Sequence, residues 1–186
     1  MIYDLISFDV QGTLTEAAYC DTFWLSILPK AELSTLTKDD PNYYDPTSWL
    51  AEYFDGRGVQ EVMAEAGHTP ALIPAMADLV IELSTLTPRP ILIATSSSTH
   101  SFIDHELGPL RQYLDDAYST IEDLDTPGKP FSVFTTLNSI YRVSPKNCIH
   151  IGDRQKEDVD APLAAGWRAL LYTGDPQSIR AALLSD

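Results

Sequence analysis

The residues of this chain that could do chemistry lie in short polar stretches, each next to an apolar run. They provide three carboxylates (Asp9, Asp153 and Asp158), the ammonium group of Lys129 and the hydroxyls of Thr13, Thr95 and Ser96, and they include the neighbouring Gln11 and Gly12. Carboxylates that converge in a small volume repel one another unless a cation lies between them. Oxygen ligands without Cys or His favour Mg²⁺, which commonly holds a substrate phosphate. These residue types therefore predict a magnesium site that binds a phosphate group.

The other candidates would complete such a site. Lys129 offers a positive charge to a phosphate, and Thr95 and backbone N–H groups at a helix start offer hydrogen-bond donors. A carboxylate facing a phosphorus atom held in this way can act as a covalent nucleophile. Taken singly, each residue has a simpler interpretation as a turn residue, a helix cap or part of a solvated loop. The chemical interpretation depends on all of them lying at one edge of one sheet.

The hydrophobic pattern predicts strands that carry these residues to a common edge. The predicted strands cover residues 2–10, 91–94, 116–121, 148–151 and 169–172. The predicted helices between and after them cover residues 100–107, 131–141, 158–165 and 177–184. This alternation indicates an α/β, Rossmann-like parallel sheet with helices on its faces. Ligands of such sheets bind outside the carboxyl ends of the strands, where the polar stretches lie.

Residues 15–80 interrupt the alternation, because their pattern is helical throughout. We predict a core formed by residues 1–14 and 81–186, and a small all-helical cap inserted between them. The cap helices are expected over residues 16–28, 47–53, 59–66 and 69–83. Eight aromatic residues of the cap could line an apolar pocket, but helix packing is the expected role of Tyr19, Phe23, Trp24, Tyr43, Tyr44, Trp49, Tyr53 and Phe54.

The composition and net charge of the chain restrict the kinds of partner that it can bind. The 186 residues carry a formal net charge of −15 and are 44% hydrophobic, which predicts one folded domain with an insertion. So few Lys and Arg residues argue against nucleic acid and against an anionic membrane surface as partners. The first residues have no basic segment of the kind that begins a signal peptide. Together with two distant cysteines, Cys20 and Cys148, this predicts a cytoplasmic protein with free thiols, Cys148 being buried.

Four motifs in order resemble those of the haloacid dehalogenase (HAD) superfamily and span nearly the whole chain. Residues 8–14, FDVQGTL, resemble the first motif, and residues 92–96, LIATS, resemble the second. Gly128-Lys129-Pro130 followed by Phe134 resembles the third. Residues 149–158, IHIGDRQKED, resemble the fourth, whose pattern is GDxxxxD. The predicted insertion matches in position the cap that the family places between its first two motifs.

The resemblance implies a Mg²⁺-dependent hydrolase, since the family consists mostly of phosphohydrolases. Asp9 would be the nucleophile and would bind Mg²⁺, while Thr95 and Lys129 would hold the phosphate of a small phosphorylated metabolite. Gly12, Thr13 and Ser96 would contact the substrate. The metal ligands would be Asp9, the backbone carbonyl of Gln11, Asp153 and Asp158, with Asp158 also supporting the site. The motif order argues against a phosphorylation-receiver domain, whose acids precede its Thr/Ser and Lys.

Gln11 departs from the family pattern. The phosphatases have a second Asp at this position, which protonates the leaving oxygen and then activates water. An amide cannot exchange that proton, and losing acid–base help typically costs about 10²–10⁴ in rate. Three hypotheses follow: a slow phosphohydrolase or one acting on acyl or aryl phosphates, a HAD enzyme of dehalogenase or phosphonatase type, or a catalytically reduced protein that binds a phosphorylated ligand or a protein partner.

Overall fold

The computed structural model describes residues 3–16, 56–65 and 71–184. Five parallel strands form one sheet in the order β3-β2-β1-β4-β5. The strands are β1 (Leu5–Asp9), β2 (Ile91–Ser96), β3 (Asp116–Ser119), β4 (Cys148–Gly152) and β5 (Arg168–Leu171). The predicted Rossmann-like α/β fold is thus confirmed, with β1 at the centre and the strand order reversing beside it.

Helices connect these strands and cover the faces of the sheet. They are α1 (Val59–Glu65), α2 (Pro74–Ser84), α3 (His100–Leu107), α4 (Phe131–Tyr141), α5 (Ala161–Ala164) and α6 (Pro176–Leu184). One 3₁₀ segment, Gly108–Tyr113, follows α3, and another, Pro145–Asn147, precedes β4. A π-helical turn, Gln155–Asp160, leads into α5, so the helix predicted over 158–165 begins earlier and with wider turns than its sequence pattern indicates.

Both faces of the sheet are buried along its central strands β2, β1 and β4, which is why these strands are so apolar. Successive side chains of a strand point to opposite faces. Ile6 and Phe8 therefore join a core with α2, α3 and α6, whereas Leu5 joins a second core with α4. Polar residues interrupt the second face: Ser7 on β1 lies opposite His150 on β4 in the strand register, and its hydroxyl is close to that of Thr95 on β2.

The division into core and cap stays a prediction. The helix expected over 16–28, apart from its first residue, the helix expected over 47–53 and the eight cap aromatics lie outside the described residues. Helix α2 spans the predicted boundary at residue 80, and it buries Met76, Leu79 and Leu83 in the main core. Within the described part of the chain, no helix is long and apolar enough to cross a membrane.

Cys148 lies at the start of β4 and is buried, as predicted. Its Sγ is 3.4 Å from Asn138 Oδ1 and 3.4 Å from the carbonyl oxygen of Ser144. Burial raises the pKa of this thiol to about 12, with a smaller contribution from the charge of Asp4. Since the thiolate is the reactive form, Cys148 is chemically protected.

We expect Cys148 to resist thiol reagents in the folded protein. In a Cys20→Ser background, a disulfide reagent at pH 8 should leave the native protein unlabelled, because the thiol is both buried and neutral below its raised pKa. One thiol should react after denaturation. Rapid stoichiometric labelling of the native variant would contradict the buried position of this side chain.

Candidate active site

Asp9 ends β1 at the carboxyl edge of the sheet, where the register places it opposite Thr95 of β2. The Asp9 side chain is nearly enclosed, with 6% of the residue exposed. Burial raises the pKa of Asp9 to about 7, and the negative charge of Asp158 acts in the same direction, while Lys129 opposes both. Asp9 is therefore a carboxylate whose charge depends on a neighbouring cation.

Lys129 provides that cation within the described structure. It lies in the turn before α4, is 4% exposed and makes a buried ion pair with Asp9. Its Nζ is also 2.6 Å from Asp158 Oδ1. Burial alone would lower the pKa of Lys129, but the charges of Asp9 and Asp158 raise it, so the ammonium form is maintained between two acids.

A series of buried polar contacts runs from Ser7 through His150 to Asp158. His150 Nε2 lies 3.1 Å from Asp158 Oδ1, and His150 Nδ1 lies 2.9 Å from Ser7 Oγ. The backbone N–H of Arg154 donates to Asp158 Oδ2 at 2.9 Å. Burial opposes the charged form of Asp158, yet Lys129 and His150 hold its pKa well below the usual range. Burial lowers the pKa of His150, although Asp158 opposes this shift.

Asp153 is a third carboxylate at the carboxyl edge of the sheet, close to Asp9 and Asp158. One oxygen each of Asp9, Asp153 and Asp158 lie within 4.8 Å of one another. Asp153 Oδ1 is buried and has no hydrogen-bond partner in the described structure, and burial raises the pKa of Asp153. A buried carboxylate oxygen without a partner is costly, and a hard cation with oxygen ligands would satisfy it. The donor set therefore fits Mg²⁺.

The Gln11 side chain is half-buried and makes three contacts through one atom. Its Nε2 donates to Ser98 Oγ at 2.9 Å and to the two carboxyl oxygens of Glu106 at 3.1 and 3.2 Å. Glu106 lies in α3 and is completely buried. Burial raises the pKa of Glu106 to about 8, and the hydrogen bond from Gln11 opposes this shift.

The remaining predicted residues also lie at this edge. Gly12 has a positive φ of 81°, and its N–H donates to the carbonyl oxygen of Thr15 at 2.8 Å. Thr13 is buried, and its hydroxyl has no partner among the described residues. Thr95 Oγ1 lies 3.4 Å from Ser7 Oγ. Ser96 Oγ accepts a hydrogen bond from the N–H of Ser98 at 3.2 Å, which shapes the turn before α3.

Sequence reasoning missed several residues of the site: Ser7, Ser98, Glu106, His150 and Arg154. Ser7 and His150 could have been recognised from the sequence, because each is a polar residue inside a strand that is mostly apolar and buried. Nothing in the sequence marked Glu106 as a site residue, since a Glu in a short helix ordinarily faces solvent. Its contact with Gln11 joins residues 95 positions apart, and only the packing of α3 brings them together.

Comparisons with known proteins agree with this fold. Residues 126–182 match a family model described as HAD-hydrolase-like. A HAD phosphatase from Thermococcus onnurineus is 16% identical, with a TM-score of 0.70 over 98% of this chain and 99% of that one. A haloacid dehalogenase-like hydrolase from Xanthomonas campestris is 13% identical, with a TM-score of 0.63 over 98% and 95%. A dehalogenase captured with an intermediate is 15% identical, with a TM-score of 0.65 over 100% and 98%. A search of curated protein sequences finds no match.

The chain therefore has the fold of the HAD-like hydrolases, and its resemblance to the haloacid dehalogenase superfamily is confirmed. The similar structures include both a phosphatase and a dehalogenase. At such low identities they establish the fold alone, so the reaction has to be argued from the side chains of the site.

A substitution at Gly12 tests how closely the turn after β1 approaches Asp153. A Cβ at Gly12 would overlap the Asp153 carboxylate, whereas a Cβ at Gly174, whose φ is also positive, would meet open space. We expect Gly174→Ala to lower the free energy of unfolding by about 1 kcal/mol, through backbone strain alone. Gly12→Ala should cost about 1–3 kcal/mol more, because a side chain must also move. Urea unfolding measures both, and equal losses would contradict the close approach.

Proposed function

We propose that this chain is a Mg²⁺-dependent phosphohydrolase that uses Asp9 as its nucleophile. The observation that carries the proposal is the arrangement around Asp9: a buried carboxylate at a strand end, paired with Lys129 and close to an unpartnered oxygen of Asp153. Such a group of charges has no function in a hydrophobic core, and it suits a phosphoryl group held between a cation and an ammonium.

In the proposed reaction an oxygen of Asp9 attacks phosphorus, and the bond from phosphorus to the leaving oxygen breaks. The leaving group takes the electron pair, and the phosphoryl group becomes an acyl phosphate on Asp9. Water then attacks phosphorus, and the bond between phosphorus and the Asp9 oxygen breaks. Inorganic phosphate and a proton leave, and the carboxylate is restored.

The residues that would hold Mg²⁺ are Asp9, Asp153 and the backbone carbonyl of Gln11, with Asp158 contributing as a ligand or as a support. When bound, the cation would offset the negative charge of the carboxylates and of the phosphate. Within the described structure Asp158 already accepts from Lys129, His150 and the N–H of Arg154. Support of Lys129 is thus the role of Asp158 that its contacts favour.

Lys129 and Thr95 are the proposed phosphate contacts. Lys129 is held by two acids at a fixed position, so it can stabilise charge on the phosphoryl oxygens without reorganising. Thr95 lies opposite Asp9 on the neighbouring strand, which brings its hydroxyl to the same edge. A small phosphorylated metabolite is the proposed substrate class.

Gln11 favours a second candidate, a protein that binds a phosphorylated ligand and turns it over slowly or not at all. An amide does not supply the proton that a poor leaving group needs. The two candidates share one site and differ in the rate of the chemical step. Turnover of a substrate with a good leaving group therefore separates them.

We expect slow release of nitrophenol from nitrophenyl phosphate in the presence of Mg²⁺. Turnover should vanish in Asp9→Asn, which has no anionic nucleophile, and should be unchanged in Asp78→Asn, a matched exposed residue of α2. A wild type that is inactive with Mg²⁺ but binds phosphate would favour the binding candidate. Activity that survives in Asp9→Asn would overturn the role of Asp9.

Removal of the metal is a separate test. We expect a chelator to abolish turnover, and added Mg²⁺ to restore it, because the proposed reaction brings a phosphate dianion to three carboxylates. Thermal unfolding should shift upward with Mg²⁺ in the wild type and shift less in Asp153→Asn. Chelator-resistant turnover with an unchanged unfolding temperature would argue against the metal site.

A further inference from the structure

Glu106 is a buried titratable residue of this site that the proposed reaction does not use. It is completely enclosed, and its hydrogen bonds in the described structure both come from Gln11 Nε2. Burying a carboxyl group costs free energy unless polar partners compensate it. A fully buried Glu whose partner is a residue two positions from the nucleophile is better explained by a role at the site than by core packing.

The contacts of Gln11 fix which way its amide faces. The nitrogen of a primary amide has two hydrogens, and the carbonyl oxygen can only accept. One hydrogen serves Ser98 Oγ, and the other is shared by the two oxygens of Glu106. Both donors are therefore occupied by the protein, and Gln11 Oε1 has no hydrogen bond from a described residue.

Helix α3 makes this arrangement rigid. Ser98 lies in the turn before the helix, and Glu106 lies in its last turn. Between them Phe102 and Ile103 are buried, and Ile103 packs in the main core under the sheet. The two acceptors of the Gln11 amide are thus fixed by core packing, and in this orientation both of its N–H groups are used.

We propose that Glu106 and Ser98 are positioning residues that hold Gln11 with its carbonyl oxygen as the free group, so that the site accepts rather than donates a hydrogen bond beside Asp9. The inference rests on the proposed phosphohydrolase function and narrows its substrates. A site that offers no proton to the leaving oxygen turns over phosphoryl compounds whose leaving group is already a weak base, namely acyl phosphates and aryl phosphates with an electron-withdrawing group on the ring. The same carbonyl oxygen can accept a hydrogen bond from the water of the second step.

The test compares kcat/KM for nitrophenyl phosphate with kcat/KM for phenyl phosphate, both with Mg²⁺. Their ratio does not depend on the fraction of folded enzyme, so partial unfolding of a variant cannot change it. We expect a large ratio in the wild type, since nitrophenolate leaves without a proton. In Glu106→Gln the new amide can donate to Gln11 Oε1 and turn the Gln11 N–H groups outward. The ratio should then fall about 3–10-fold, the effect of one hydrogen bond to the leaving oxygen.

A second variant and a matched control complete the experiment. Ser98→Ala removes one of the two acceptors and should lower the ratio about twofold, which keeps the test available if Glu106→Gln does not fold. Glu82→Gln, a partly exposed Glu of α2 paired with Arg180, should leave the ratio unchanged. If Glu106→Gln and Ser98→Ala both keep the wild-type ratio, the positioning role is wrong. A wild type that hydrolyses both esters equally well would overturn the substrate class.

Failure of the proposed function has a different signature. A wild type without Mg²⁺-dependent turnover of either ester would overturn the phosphohydrolase proposal, and this inference with it. Turnover in the wild type with no response in the Glu106 and Ser98 variants would overturn the inference alone. A lower ratio in both variants, with Glu82→Gln unchanged, would support it.

Discussion

The ion pairs of Lys129 are the interaction on which the rest of the site depends. An ammonium group is expensive to bury, and Asp9 and Asp158 compensate it from two sides. Asp158 in turn is held by His150 and by the N–H of Arg154, and His150 is held by Ser7. Loss of the lysine would leave two buried acids without their cation, so the supporting groups form one unit with the nucleophile.

The sheet explains why these groups meet. Strands β1 and β4 are neighbours with aligned register, so Ser7 faces His150 inside the sheet, and Asp9, Gly152 and Asp153 follow at the same edge. A Cβ at Gly152 would overlap the Asp158 side chain, so the strand end is shaped to let that carboxylate approach. Backbone geometry and charge compensation therefore specify the same constellation, which is expected of a preorganised site.

The sequence predicted much of this arrangement, for local reasons. The first and last residues of α3 and α4 were predicted correctly, because each helix follows a run of polar or proline residues that marks a helix start. The π-helical turn before α5 was not predicted, since the helical pattern of the sequence begins only at residue 158, within this turn. Residues at strand ends could be predicted to converge because one rule governs all parallel sheets. The partners of Gln11 could not, because they depend on how α3 packs against the first turn.

The pairing of Gln11 with Glu106 gives the departure at position 11 a physical reason. A carboxylate at position 11 would lie within hydrogen-bond distance of a second, fully buried carboxyl group, and the two would repel unless they shared a proton. An amide removes that conflict and supplies two donors to acceptors that are already fixed. In this chain the residue beside the nucleophile is a neutral amide, and it bonds to the buried acid of α3 without that repulsion.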